Sequence, residues 1–265
     1  MREQPGDATA ITGSTTIRSM STIREQAVQH HCSGERFEGF VAIDESTRGP
    51  KPVVVICPAW NGRDEFVMEK ARKLAALGYV GYAADFYGLD SESRVRVGTT
   101  PEECGALVTP LVEDRGEVRT RLAAMVESAQ KIPGVDPAKV VVIGYCFGGT
   151  FALDAARANL EGVVGAACFH GVFTPPDLGP QAPIRAKILA CHGWDDPWAT
   201  PEAVLGFARE MTEAHADWQL HAYGRTKHAF TNPKANDLER GIVYDATADA
   251  RSWEALSDFL RECAK

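Results

Sequence analysis

The sequence carries no basic stripe, no long apolar run and no paired-cysteine motif, and each absence narrows what the protein does. Net charge is −8 over 265 residues, which excludes the positive footprint of a nucleic-acid binder. The longest apolar runs, such as 53–57 and 140–143, are far too short to span a bilayer. Residues 1–22 are polar and lack the apolar core of a secretory signal. They are expected to form a flexible N-terminal tail, with Met20 as a later start, ahead of a single domain over 23–265. The seven cysteines (Cys32, Cys57, Cys104, Cys146, Cys168, Cys191, Cys263) are odd in number and include no C-x-x-C pair. That excludes a disulfide framework and favours a reducing, cytoplasmic setting. His30-His31-Cys32 is compact but lacks the spacing of a structural zinc site, so no metal is expected.

What is present is an alternation of strand and helix signals. Strands are expected at 36–43, 53–57, 79–85, 140–144, around "GVVGAACF", at "AKILACHG" and at "WQLHAY". Helices are expected at 65–77, ended by Gly78, within 102–131 and from "GGTFALDAARA". Two more are expected, one after Thr200 with Pro201 at its first position and one at the C-terminus. The strands are continuously apolar, which predicts a mostly parallel central sheet with helices on both faces, an α/β architecture. No linker or repeat divides the chain after residue 23.

In such a sheet, reactive groups gather in loops beyond the carboxyl ends of the strands. Three loops hold suitable residues. Gly144-Tyr145-Cys146-Phe147-Gly148 reads G-x-C-x-G between a β-branched run and a helical one. It matches a nucleophile elbow with cysteine in place of serine, at a helix N-terminus that favours a thiolate. "CHGWDDPW" at 191–198 offers Asp195 and Asp196 as partners for an imidazolium. "GRTKHAFTN" at 224–232 offers His228 as general base. The order nucleophile, acid, histidine is that of α/β-hydrolases. An oxyanion hole needs two N–H donors, expected from Phe147 and from Trp60 in the loop at 57–66. Tyr87, His170 and Trp198 are expected to line the substrate pocket, with Phe86 and Phe173 near its edge.

These residues resemble the dienelactone hydrolase family of α/β-hydrolases. The resemblance rests on "GYCFGG", "HGWDDPW", "KHAF" and "KLAALGYVGYAADFYG", and covers roughly residues 25–263. It implies a Cys-His-Asp triad of Cys146, His228 and Asp196 that opens lactones and activated esters without a cofactor. It also implies a small-molecule ester or lactone partner and a monomer or homodimer. Three positions depart from the family. Ala59 stands where dienelactone-cleaving members place a glutamate, and Gly88 or Leu89 and Asn232 stand where they place two substrate-binding arginines. Arg63, Arg225 and Lys227 are the alternative sources of positive charge. Two other readings of the fold are a thiol sensor, which needs Cys168 or Cys57 as resolving partner, and a non-catalytic binding protein.

Overall fold

A strand covered on both faces serves two cores with alternate residues, which is why it reads as an unbroken apolar run. The computed structural model describes residues 23–46 and 48–265; the tail expected at 1–22 lies outside the described residues. Eight strands form one sheet: β1 (Ile23–Cys32), β2 (Glu35–Asp44), β3 (Lys51–Cys57), β4 (Val80–Ala83), β5 (Val135–Tyr145), β6 (Val163–Phe169), β7 (Lys187–Gly193) and β8 (Trp218–Tyr223). Their spatial order is β1-β2-β4-β3-β5-β6-β7-β8. The pairs β1/β2 and β2/β4 are antiparallel and the others parallel. In β3, Val53, Val55 and Cys57 enter one core while Val54 and Ile56 enter the other.

The first core is closed by α2 (Pro101–Glu113), α3 (Arg115–Gln130), α4 (Phe147–Arg157) and α5 (Pro201–Glu213). The second is closed by α1 (Glu65–Ala76) and α6 (Ala246–Cys263). Gly78 stops α1 as expected: its φ is +92°, and Tyr79 N–H reaches back to the Leu74 carbonyl. Among the described residues no helix is long and apolar enough to cross a membrane.

Three elements differ from expectation. β1 is polar and half exposed at a sheet edge, so it lacks the apolar run that marked its neighbours. The strand expected at 140–144 is longer, because β5 already begins at Val135, opposite Lys51, and passes a register shift before the apolar run. The helical region at 102–131 is two helices, split at Asp114, which caps α3 by accepting from Glu117 N–H.

Helix α4 is tied to its surroundings by buried charge. Asp154 accepts from Arg115 and Arg157, and Arg157 also pairs with Glu210 on α5 and donates to the Phe173 carbonyl. Burial raises the Asp154 pKa against the pull of the two guanidinium groups. Removing one member of such a set leaves an uncompensated buried charge. Asp154→Ala is therefore expected to lower unfolding stability by about 3–5 kcal/mol in urea titrations, and an unchanged midpoint would contradict the network.

Candidate active site

The elbow is built from backbone that only certain residues tolerate. Cys146 lies between β5 and α4 with φ 56° and ψ −122°, a left-handed conformation that costs a non-glycine residue energy. The flanking glycines are required by contact. A Cβ on Gly144 would meet the Gly148 carbonyl oxygen at 1.9 Å, and one on Gly148 would meet the Cys57 carbonyl oxygen at 2.2 Å. Cys146 is the N-cap of α4 yet makes no side-chain cap bond. Its sulfur instead lies 3.1 Å from His228 Nε2.

His228 Nδ1 is 2.7 Å from Asp196 Oδ2, and both groups are buried. The other oxygen of Asp196 accepts from Trp198 N–H at 2.8 Å, so the carboxylate is held at both ends. Asp195 is exposed, and its N–H bonds the Thr226 carbonyl. Burial opposes charge on His228, but the Cys146 sulfur and Asp196 outweigh it and raise its pKa to about 10. The loop carrying His228 is braced by a small ladder of β9 (Asn236–Asp237) and β10 (Ile242–Val243), too short to be read from sequence. His228 N–H donates to the Gly241 carbonyl, and Val243 N–H donates to that of His228.

A cavity of about 110 Å³ opens over Cys146. Phe147, Trp60, His170, Trp198 and His228 line it, together with Ala59, Asn61, Asp64, Asn232 and Arg240. Among the described residues, the backbone N–H groups of Phe147 and Trp60 have no protein acceptor. Tyr87 does not line this cavity. It is buried behind the Trp60 loop, and its hydroxyl donates to the Trp60 carbonyl at 2.7 Å. Phe86 and Phe173 are core residues as well, packed on Phe151 and Phe207. Arg63, Arg225 and Lys227 are absent from the lining. Arg63 is engaged by Glu38 at 3.3 Å instead. The cation that does reach the cavity is Arg240, on a loop with no sequence motif to mark it.

His170 is more than a wall residue. Its Nδ1 accepts from Cys146 N–H at 3.1 Å, so the neutral ring carries its proton on Nε2, 2.8 Å from Thr231 Oγ1. The ring thereby links the elbow to the His228 loop, and its edge meets the His228 ring with centroids 5.2 Å apart. Burial first, and the charge on His228 second, hold its pKa well below the ordinary value. Among the described residues no cluster of three or more His, Cys, Asp or Glu side chains suits a metal ion.

Comparison with known proteins adds to this geometry. A family model described as the dienelactone hydrolase family matches residues 37–264. A putative carboxymethylenebutenolidase of Aquifex aeolicus is 26% identical, over 91% of this chain and 99% of that protein. A probable 2-oxo-3-(5-oxofuran-2-ylidene)propanoate lactonase of Bradyrhizobium sp is 27% identical, over 69% of this chain and 74% of that protein. Among solved structures, a dienelactone hydrolase-like promiscuous phosphotriesterase, P91, from metagenomic libraries aligns with a TM-score of 0.85. It is 32% identical, over 92% of this chain and 99% of that chain.

The neutral state of His170 has a measurable consequence. Below its ordinary pKa of 6.5 the unfolded chain binds a proton there and the folded chain does not. Stability from this group is therefore full above 6.5 and declines as pH falls. One such group costs about 1.4 kcal/mol at about pH 5.5. Urea melts at about pH 8 and about pH 5.5 should show His170→Phe losing less stability on acidification than the wild type; an equal loss would contradict a neutral, buried His170.

Proposed function

The chain belongs to the dienelactone hydrolase family, whose members are carboxylic-ester and lactone hydrolases, and we propose that it acts through Cys146, His228 and Asp196 by way of a thioester. The observation that carries this reading is the continuous line from sulfur to Nε2 at 3.1 Å and from Nδ1 to the carboxylate at 2.7 Å. Asp196 fixes the ring so that Nε2 faces the sulfur and stabilises the imidazolium. The raised His228 pKa supports a protonated ring beside the sulfur at neutral pH.

The thiolate attacks the ester or lactone carbonyl carbon, and the C–S bond forms as the carbonyl oxygen becomes an oxyanion. The N–H groups of Phe147 and Trp60 receive that oxyanion, and their lack of protein acceptors supports the assignment. Collapse expels the alcohol or enol, which takes the proton from His228 Nε2. Water, deprotonated by His228, then attacks the thioester carbonyl; the C–S bond breaks, the carboxylic acid leaves, and the Cys146 thiolate is restored beside the protonated ring. Thiolate is a good leaving group, so an intermediate with a poor alkoxide reverts. Aryl esters and enol-lactones are therefore favoured over alkyl esters and amides.

A sensor role finds little support in the thiols around the elbow. Cys168 and Cys191 are buried and pushed up to about 12 by desolvation, and burial raises Cys57 too. Such thiols are inert as resolving partners.

Cys146→Ala should lose p-nitrophenyl acetate turnover by about 10³-fold or more, measured as kcat/KM with the fold checked by circular dichroism. Retention of wild-type turnover would remove Cys146 from the mechanism.

A further inference from the structure

Arg240 lies between β9 and β10, on a segment that carries none of the proposed catalytic residues. Its guanidinium carbon is 5.3 Å from the centre of the Trp60 ring and 6.0 Å from that of Trp198. Trp60 belongs to the loop after β3 and Trp198 to the loop after β7, so one side chain spans two separate walls of the cavity. The bridge is anchored in the backbone as well. Trp198 Nε1–H donates to the Arg240 carbonyl at 3.2 Å, and Arg240 N–H donates to Asp237 Oδ1 at 3.0 Å. Among the described residues the guanidinium has no carboxylate partner; the two indole faces are its company.

The cavity beneath this bridge is about 110 Å³, whereas small-molecule sites run to roughly 300–1,000 Å³. An acetyl group has room there and a long or fused acyl group does not. The roof is one side chain thick, with Arg240 exposed and Trp198 41% exposed. Cation–π contacts at exposed positions are individually weak, so opening this bridge costs little. A bulky group enters only the open fraction and is slowed in proportion; a small one is not.

We propose that Arg240 staples Trp60 to Trp198 across the cavity mouth and so sets the size of the group that reaches Cys146. As a statement about substrates this rests on the ester-hydrolase reading above. As a statement about access to the sulfur it stands apart from turnover. Both aspects are testable with Arg240→Ala and with Arg240→Gln, which keeps most of the side chain and removes the cation.

The first measurement is the rate of Cys146 alkylation by iodoacetamide and by N-(1-pyrenyl)maleimide, read by mass spectrometry of the Cys146 peptide. The other six cysteines are buried and leave Cys146 as the accessible thiol. The second is kcat/KM for p-nitrophenyl acetate and p-nitrophenyl octanoate. The staple predicts that the bulky-to-small ratio rises about fivefold in both assays for both variants. Unchanged ratios overturn it, as does an equal loss on small and bulky reagents, which would make Arg240 a general support of the site. If the wild type turns over neither ester while the alkylation ratio still rises, the hydrolase reading fails and the staple stands.

Discussion

The left-handed turn at Cys146 is the constraint on which the site depends. A residue with φ near 56° at the end of a buried strand aims its side chain out of the sheet instead of into either core. The strain persists because the surroundings over-determine it. Gly144, Gly148 and the Cys57 carbonyl approach too closely for any side chain to intervene, and Cys146 N–H is shared between the Phe169 carbonyl and His170. Relax the turn and the sulfur leaves His228. The β9/β10 segment holds the His228 backbone, and Trp198 N–H holds Asp196, so both loops converge on that one atom.

Charge follows from the same geometry. His228 is buried between a sulfur and a carboxylate, and their attraction for its proton exceeds the cost of burial. His170, equally buried and edge-on to His228, has no such partners and stays neutral, with its two nitrogens committed to Cys146 N–H and Thr231. The pKa values of two imidazoles whose centres lie 5.2 Å apart are thus driven in opposite directions, up where a sulfur and a carboxylate adjoin the ring and down where burial dominates. His170 thereby ties the elbow to the loop that carries His228 and Thr231.

Much of this was legible in the sequence. The buried strands β3 to β7 announced themselves as apolar runs, and Cys146, Asp196 and His228 lie beyond strand ends in motifs with strong local chemistry. What was hidden had no local signal. β1 is polar because its edge faces water, and Arg240 lies in a loop without motif or periodicity, brought to the cavity only by the packing of β9 and β10. Tyr87 misled for the opposite reason. An aromatic residue in a loop near the site reads as a pocket wall, and only the fold reveals that its hydroxyl supports the Trp60 backbone from behind. Ala59 and Asn232 do line the cavity, at the positions where the resemblance leads one to expect a glutamate and an arginine. The local positive charge comes from another part of the chain.

The most direct test of the account is to trap the acyl-enzyme. The protein is mixed with excess p-nitrophenyl acetate, quenched in acid within the first turnovers, digested and examined by mass spectrometry. The account predicts an acetyl group on the peptide containing Cys146, released by neutral hydroxylamine as a thioester is, and accumulating when His228 is replaced by a residue that cannot activate water. Acetylation confined to another side chain, or turnover with no acetylated peptide under any quench, would contradict it.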